Sequence, residues 1–239
     1  MRGKVLILAG TAEARAVCAA VSDRDVIASL AGVTARPADL GVPTRVGGFG
    51  GDAGFAEALR DVVAVLDATH PYATRISQRT AAICAARRVP HLRLTRAAWP
   101  IRASWRVHAD AEAAANALPQ GARVFLSVGP GTLAPFLGRG LALTCRRIDP
   151  APDEPGVTWI VGRPLPTLAE ETALLETHGI TDLVTKNSGG PAAKLDAADT
   201  LGIAVHLIAR PPAPPGEQTD DIDRAIAFVR AHAADRDGG

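Results

Sequence analysis

Residues 4–20 of the chain read KVLILAGTAEARAVCAA, and this stretch decides the class of fold. The apolar run at residues 4–9 has the length of a strand and lacks polar alternation, which is typical of a parallel strand covered on both faces. A turn at Gly10 follows, and residues 12–21 then have the pattern of a helix. A buried strand, a glycine loop and a helix in this order predict the opening unit of an α/β protein.

The same alternation continues along the chain. Further strands are predicted at residues 25–30, 62–66, 90–94, 123–128, 141–146, 182–185 and 203–208, and further helices at residues 52–59, 74–87, 111–117, 167–177, 192–199 and 217–232. Helices between apolar strands supply the crossovers that parallel sheets require.

The polar, Trp-containing stretch at residues 97–106 separates two such series. We therefore predict an α/β protein with two Rossmann-like domains, each built on a parallel sheet. The N-terminal domain, residues 1–105, is expected to bind a nucleotide, and the C-terminal domain, residues 106–239, is expected to close a ligand cleft between the two.

Composition excludes several classes of function. A formal net charge of +1 over 239 residues argues against a general nucleic-acid binder. The three cysteines, Cys18, Cys84 and Cys145, form no CxxC pair, so we expect buried thiols and no disulfide framework. The histidines lack metal-ligand spacing, and no metal site is expected. The N-terminal apolar run is too short for a signal peptide or membrane span, so we expect a cytoplasmic protein without a membrane or obligate protein partner.

The loop from Gly10 to Arg15, with Thr11 and Glu13 inside it, lies between the first strand and its helix. Backbone N–H groups and the positive helix N-terminus can approach a phosphate here, and Arg15 adds a forked charge. The loop lacks the GxGxxG fingerprint, and a glycine turn of this kind also occurs in α/β folds that bind nothing there. Both interpretations stay open on this segment alone.

The end of the second strand reads Ser29, Leu30, Ala31, Gly32 and carries no acidic residue. An Asp or Glu at this point commonly binds the ribose 2′-OH of NAD. Its absence, with Thr34 and Arg36 following, favours the 2′-phosphate of NADPH. The alternative is that Arg36 is a solvated loop charge.

Four glycines surround Phe49 in the loop at residues 47–51. Glycine at this density is costly in unfolded-state entropy, which suggests unusual backbone dihedrals or close approach of a ligand. Phe49 is placed to cover a planar ring, although simple linker flexibility also explains the glycines.

The segment at residues 67–73 follows a predicted strand, so Asp67, His70 and Tyr72 lie at the carboxyl edge of a parallel sheet, where α/β folds collect ligands. Asp67 is alternatively a turn cap and His70 a hydrogen-bonded structural residue. Arginines are dense from Arg75 to Arg102, and those nearest the site are candidates to bind carboxylates.

Two loops of the second domain, like those of the first, come directly after a predicted strand. Ser127 to Gly131 and Lys186 to Gly190 each follow a strand and present backbone donors. Lys186 with Ser188 suits phosphate chemistry, but the P-loop motif is absent.

Four motifs together resemble the precorrin-6A reductase family: GGFGG at residues 47–51, DATHPYA at 67–73, LRLTRAAW at 92–99 and TKNSGG at 185–190. The resemblance spans nearly the whole chain, including the loop from Gly10 and the Arg210–Pro211 pair. Ala9–Gly10 stands where the family usually has two glycines. The resemblance implies that NADPH reduces one double bond of the precorrin-6A macrocycle in cobalamin biosynthesis, giving precorrin-6B. It also implies a substrate rich in carboxylates, which the arginines and Lys186 would bind.

The expected site residues follow from the loops and the resemblance together. Expected cofactor contacts are Gly10, Thr11, Glu13, Arg15, Ser29, Gly32, Arg36, Gly48, Phe49, Gly50, Thr69, Gly129, Lys186, Asn187 and Ser188. Expected substrate contacts are His70, Arg75, Arg96 and Lys186, and expected catalytic residues are His70, Asp67 and Tyr72.

Two other functions are compatible with single loops of the chain. A glycine loop after the first strand also suits an S-adenosylmethionine-dependent tetrapyrrole methyltransferase. A nucleotide-sensing module without catalysis is the second alternative.

Overall fold

The computed structural model describes residues 2–32 and 39–236. The chain divides into two compact units, one formed by Met1–Ala97 together with Pro211–Gly239 and the other by Ala98–Arg210. Each unit is built on one six-stranded sheet in which neighbouring strands run parallel. The predicted α/β class with two parallel-sheet domains is confirmed.

The sheet of the first unit has the strand order β3-β2-β1-β4-β5-β12. Its strands are β1 (Lys4–Leu8), β2 (Val26–Leu30), β3 (Thr44–Val46), β4 (Val62–Asp67), β5 (His91–Leu94) and β12 (Glu217–Thr219). This is the 3-2-1-4-5-6 order of the Rossmann fold. The order reverses between β1 and β4, and ligands of open α/β sheets bind at such a switch point.

Helices cover both faces of this sheet, as the unbroken apolar strands predict. They are α1 (Ala12–Ala20), α2 (Gly51–Ala58), α3 (Thr74–Arg87) and α7 (Ile222–His232). Val5 and Ile7 of β1 pack with α1 and α7, whereas Leu6 and Leu8 pack with α2 and α3. The two faces are filled by alternate residues because successive side chains of a strand point to opposite sides.

The sheet of the second unit has the order β6-β11-β10-β7-β8-β9. The elements are β6 (Arg106–His108), β7 (Arg123–Ser127), β8 (Ala142–Arg147), β9 (Val157–Val161), β10 (Asp182–Lys186), β11 (Ala204–Ile208), α4 (Ala111–Asn116), α5 (Leu168–Thr177) and α6 (Ala193–Thr200). Phe125, Leu183 and Leu207 form its core with Trp99 and Trp105. Both tryptophans therefore belong to the packing of this unit.

The observed division of the chain differs from the predicted domains of residues 1–105 and 106–239. Residues 211–239 belong to the first unit because β12 pairs with β5 and α7 packs on the same sheet. The predicted helix at residues 217–232 was too long: its first part is β12, and α7 begins only after Asp221, whose side chain accepts hydrogen bonds from the N–H groups of Asp223 and Arg224. The sequence patterns also missed the edge strands β3, β6 and β9.

The three cysteines lie buried as expected, at positions 18, 84 and 145. Burial raises the pKa of Cys18 to about 11 and the pKa values of Cys84 and Cys145 to about 12. Separately, no helix within the described residues has both the length and the apolar character needed to cross a membrane.

Candidate active site

A pocket of about 630 Å³ opens at the carboxyl edge of the first sheet. This volume is in the range of small-molecule and cofactor sites. Its lining comes from the ends of β1 and β2, the glycine-rich loop after β3 and the loop between β4 and α3: Leu8, Ala9, Ser29, Ala31, Gly47, Gly48, Phe49, Thr69, Tyr72, Ala73, Thr74, Arg75, Ile76 and Arg79. The pocket therefore spans the β1/β4 switch point.

Thr11 joins two loops at this switch point. Its Oγ1 accepts a hydrogen bond from the Ala14 N–H at 3.1 Å, which caps α1, and donates one to the Ala68 carbonyl oxygen at 3.1 Å. The hydroxyl is thus engaged within the fold. Gly10 precedes it with a positive φ of 157°, and Arg15 is exposed on the first turn of α1.

Glu13 and Arg96 are paired with each other, with Arg96 Nε 2.5 Å from Glu13 Oε1. Burial opposes ionisation of Glu13, but the hydrogen bond and charge of Arg96 outweigh it, and the pKa of Glu13 is lowered. The pair connects the loop after β5 to the start of α1. The sequence patterns had assigned Glu13 to the cofactor and Arg96 to the substrate, and those contacts stay predictions.

One cation beside the glycine-rich loop, Arg45, was not among the site residues predicted from the sequence. Arg45 of β3 donates from Nη1 to Ser29 Oγ at 2.7 Å and to the Gly47 carbonyl oxygen at 3.1 Å, and from Nη2 to the Gly48 carbonyl oxygen at 2.9 Å. Its guanidinium carbon lies 4.0 Å from the centre of the Phe49 ring. The sequence signal was available, since Arg45 comes two residues before GGFGG and no carboxylate stands nearby.

Phe49 also packs edge to face on Phe55 of α2, with ring centres 4.9 Å apart. Gly50, at the start of α2, has a φ of 71°, which favours glycine. Gly32 borders the same region, because a Cβ there would lie 3.2 Å from Val46 Cγ1. Thr34 and Arg36, predicted to hold a 2′-phosphate, lie outside the described residues.

Asp67 is fully buried at the end of β4. Its Oδ1 accepts hydrogen bonds from the Thr69 N–H at 3.1 Å and from Thr69 Oγ1 at 2.7 Å. Its Oδ2 lies 3.8 Å from Nε of Arg93, which is buried as well. An enclosed carboxylate that closes a turn is suited to positioning the loop, and the catalytic role expected for Asp67 stays a prediction.

His70 and Tyr72 follow on the loop before α3. The Tyr72 N–H donates to His70 Nδ1 at 3.2 Å, and the two rings are 5.7 Å apart. Because Nδ1 accepts, the neutral imidazole carries its proton on Nε2. Both residues are half-buried, and Tyr72 lines the pocket.

The N-terminus of α3 lines the pocket without a side-chain cap. Its first N–H groups and the positive end of the helix dipole suit a phosphate or carboxylate group. Arg75, which is exposed at this position, has no ion-pair partner among the described residues. Arg79, one turn further on, is held by Asp52 of α2 at 2.6 Å.

The second unit also gathers polar groups at the carboxyl edge of its sheet. Lys186 Nζ donates to Thr132 Oγ1 at 2.8 Å, and burial lowers the pKa of this lysine. Gly129, in the loop after β7, has a φ of 82°. Lys194, which the sequence patterns did not indicate, donates to Ser127 Oγ at 3.2 Å and lies 5.2 Å from the Trp99 ring centre.

Asn187 serves the fold of this unit. Its Oδ1 accepts from the Trp99 N–H at 2.8 Å, and its Nδ2 donates to the Trp99 carbonyl oxygen at 3.2 Å. Ser188 is half-buried, with Oγ 3.4 Å from the Lys186 carbonyl oxygen. The Asn187 amide is therefore engaged by a backbone segment, and its predicted cofactor contact stays a prediction.

The strand order and the switch-point pocket are those of dinucleotide-binding α/β enzymes. Within that class, the chain belongs to the family described as precorrin-6x reductase CbiJ/CobK, whose profile matches residues 4–230. The members of this family are oxidoreductases.

Individual relatives agree with this assignment. The chain is 42% identical to a precorrin-6A reductase of Rhodococcus erythropolis over 241 residues, covering 95% of this chain and 97% of the relative. It is 39% identical to a precorrin-6A reductase of Mycobacterium tuberculosis, with the same coverage. A solved structure titled CobK precorrin-6A reductase has a TM-score of 0.89 and 36% identity over 100% of both chains.

Proposed function

We propose that this protein uses NADPH to reduce one carbon–carbon double bond of precorrin-6A, giving precorrin-6B in cobalamin biosynthesis. The observation that carries the proposal is the pocket across the β1/β4 switch point of a 3-2-1-4-5-6 sheet, in a chain of the reductase family. A hydride and a proton must reach neighbouring carbons of the macrocycle, so the protein has to hold two large ligands against each other.

The residues of the pocket fit a dinucleotide. Gly10 and Gly48 leave open space beside the backbone, since a Cβ at either position would have no heavy atom within 4 Å. The end of β2 offers Ser29 and no carboxylate, which suits a phosphorylated ribose better than a free diol. When bound, the nicotinamide cofactor supplies the hydride, and Gly10, Gly48 and Phe49 are proposed to hold it.

The proposed substrate contacts are cationic or are N–H donors. Arg75 and the uncapped start of α3 present donors to carboxylates at one side of the pocket. Arg96 is already ion-paired with Glu13, so a substrate carboxylate would share Arg96 with Glu13 or replace Glu13. Lys186 is a further proposed contact, and its lowered pKa reflects the cost of a buried charge that an incoming carboxylate would offset.

His70 is proposed to bind the substrate through the proton on Nε2. The N–H of Tyr72 donates to Nδ1, so the neutral ring carries its proton on Nε2, and we propose that this Nε2–H faces a substrate carboxylate or the carbon that is protonated. Tyr72 lines the pocket and shares this position. Asp67 is proposed to act indirectly, by positioning the loop that contains His70.

Incubation of the purified protein with enzymatically made precorrin-6A and NADPH tests the proposal. We expect loss of NADPH absorbance together with a product heavier by two hydrogen atoms. Omission of the tetrapyrrole, and replacement of NADPH by S-adenosylmethionine, are the controls. Binding of NADPH without oxidation in the presence of precorrin-6A would contradict the proposal and favour a nucleotide-sensing module.

A further inference from the structure

In a dinucleotide-binding sheet, an arginine near the end of the second strand is the usual partner of the 2′-phosphate that distinguishes NADPH from NADH. We propose that Arg45, with Ser29, binds the 2′-phosphate of the cofactor. The inference rests on the proposed use of a nicotinamide dinucleotide and adds the determinant of its specificity.

Position is the first argument. Ser29 and Arg45 are register partners on β2 and β3, so their side chains point to the same face of the sheet. In a Rossmann sheet the ribose that carries the 2′-OH or 2′-phosphate lies at the end of the second strand. Ser29 lines the pocket at this point, and Arg45 touches its hydroxyl.

Charge is the second argument. Three of the nearby cations, Arg79, Arg93 and Arg96, each lie within ion-pair distance of a carboxylate. Arg45 has no such carboxylate among the described residues and contacts only neutral oxygens and an aromatic ring. Within the described part of the chain its positive charge therefore has no carboxylate to balance it, and it lies against the lining residues Ser29, Gly47, Gly48 and Phe49, where a dianionic phosphate would gain from it.

Donor geometry is the third argument. A guanidinium carries five N–H groups, and three of those of Arg45 are used by Ser29, Gly47 and Gly48. Within the described part of the chain, Nε–H and one Nη2–H have no partner. Ser29 Oγ accepts from Arg45, which leaves its own proton to donate.

Preorganisation is the fourth argument. Three hydrogen bonds and the Phe49 ring hold the guanidinium plane in place. A planar fork fixed in advance loses little side-chain entropy when it binds a phosphate. The alternative, that Arg45 serves only to fix the glycine-rich loop, predicts equal effects on both nucleotides.

Calorimetric titration of the full-length protein with NADPH and with NADH separates these roles. For Arg45→Gln we expect the Kd of NADPH to rise about 10- to 100-fold while that of NADH changes less than about twofold. The Kd of the fragment 2′,5′-ADP should rise as that of NADPH does, whereas the Kd of 5′-AMP should not. Arg45→Lys keeps the charge but loses the forked donors of the guanidinium, so its Kd for NADPH should lie between those of the wild type and Arg45→Gln. Arg60→Gln, which removes an exposed arginine paired with Glu57, is the matched control.

Equal weakening of NADPH and NADH, or an unchanged ratio of the two Kd values, would overturn the assignment. Ser29→Ala provides a milder variant should Arg45→Gln fold poorly, and it should weaken NADPH alone, by about 2- to 10-fold. If the wild-type protein prefers NADPH while both variants keep that preference, only the Arg45 assignment fails. If the wild type binds no nicotinamide nucleotide, the proposed function fails and this inference with it.

Discussion

Asp67 Oδ2 lies 3.8 Å from Arg93 Nε, and both side chains are buried beside the loop that carries His70. Arg93 also donates to the Pro71 carbonyl oxygen at 3.4 Å, so the carboxylate, the guanidinium and the loop form one connected group. Position at a sheet edge is therefore not enough to make Asp67 a catalytic residue.

Asp67→Ala should destabilise the protein by about 3 kcal/mol, because it leaves the buried Arg93 charge without its partner. Urea unfolding measures this loss, and His70→Ala should retain wild-type stability as the comparison. Activity should fall only because less of the protein is folded and because the loop that contains His70 is displaced. An Asp67→Ala variant that unfolds like the wild type yet lacks all activity would instead support direct catalysis.

His70→Ala should act mainly on substrate binding, because Asp67 fixes the loop and water can protonate a ring carbon within a closed site. We expect a raised KM, with a single-turnover rate at saturating substrate within about threefold of wild type. A general acid would cost about 100- to 10,000-fold in that rate. A fall of that size would establish His70 as the acid, whereas a rate within about threefold of wild type together with an unchanged substrate Kd would remove His70 from the site.

Gly48→Val should weaken cofactor binding about tenfold or more without changing the melting temperature, because Gly48 lines the pocket, lacks a positive φ and has open space at its Cβ position. Gly10 and Gly50 are less informative, since their positive φ strains any substitution. Gly54→Ala is the contrasting variant. Its Cβ would lie 1.7 Å from the Phe49 carbonyl oxygen, and it should cost about 1 to 3 kcal/mol of stability. Gly48→Val with wild-type affinity would contradict the proposed approach of the cofactor.

The stability of the protein should fall as the pH drops below 6.5 because of His206. This residue is fully buried between Asp182 at 3.1 Å and His108 at 3.0 Å, with Arg106 nearby. Burial lowers its pKa despite the hydrogen bond to Asp182, and burial lowers the pKa of His108 as well. Between the lowered folded pKa and 6.5 the unfolded chain binds more protons, so stability is lost as pH falls.

Urea unfolding across this pH range measures the effect. Each histidine contributes a slope of at most about 1.4 kcal/mol per pH unit. His206→Gln and His108→Gln should each reduce the slope, so that the stability difference from wild type narrows as the pH falls. A difference that stays constant or widens would show that these histidines do not govern the pH dependence.

The sequence by itself determined the central strands and most helices, because their apolar patterns are local. Helix α3 was predicted with its observed bounds, Thr74–Arg87, and β1 and β2 differ from prediction by one residue each. The ends of β1, β2 and β4 therefore identified the sheet edge that carries the pocket. The four motifs likewise indicated the reductase family from the order of residues alone.

Tertiary structure decided what depends on distant partners. The three-residue strands β3 and β12 are too short to show a period, and only pairing with β2 and β5 defines them. The Glu13–Arg96 pair joins residues 83 positions apart. Arg45 reaches Ser29 only because two strands lie side by side. Local sequence does not encode such contacts, because they follow from the global packing of the sheet.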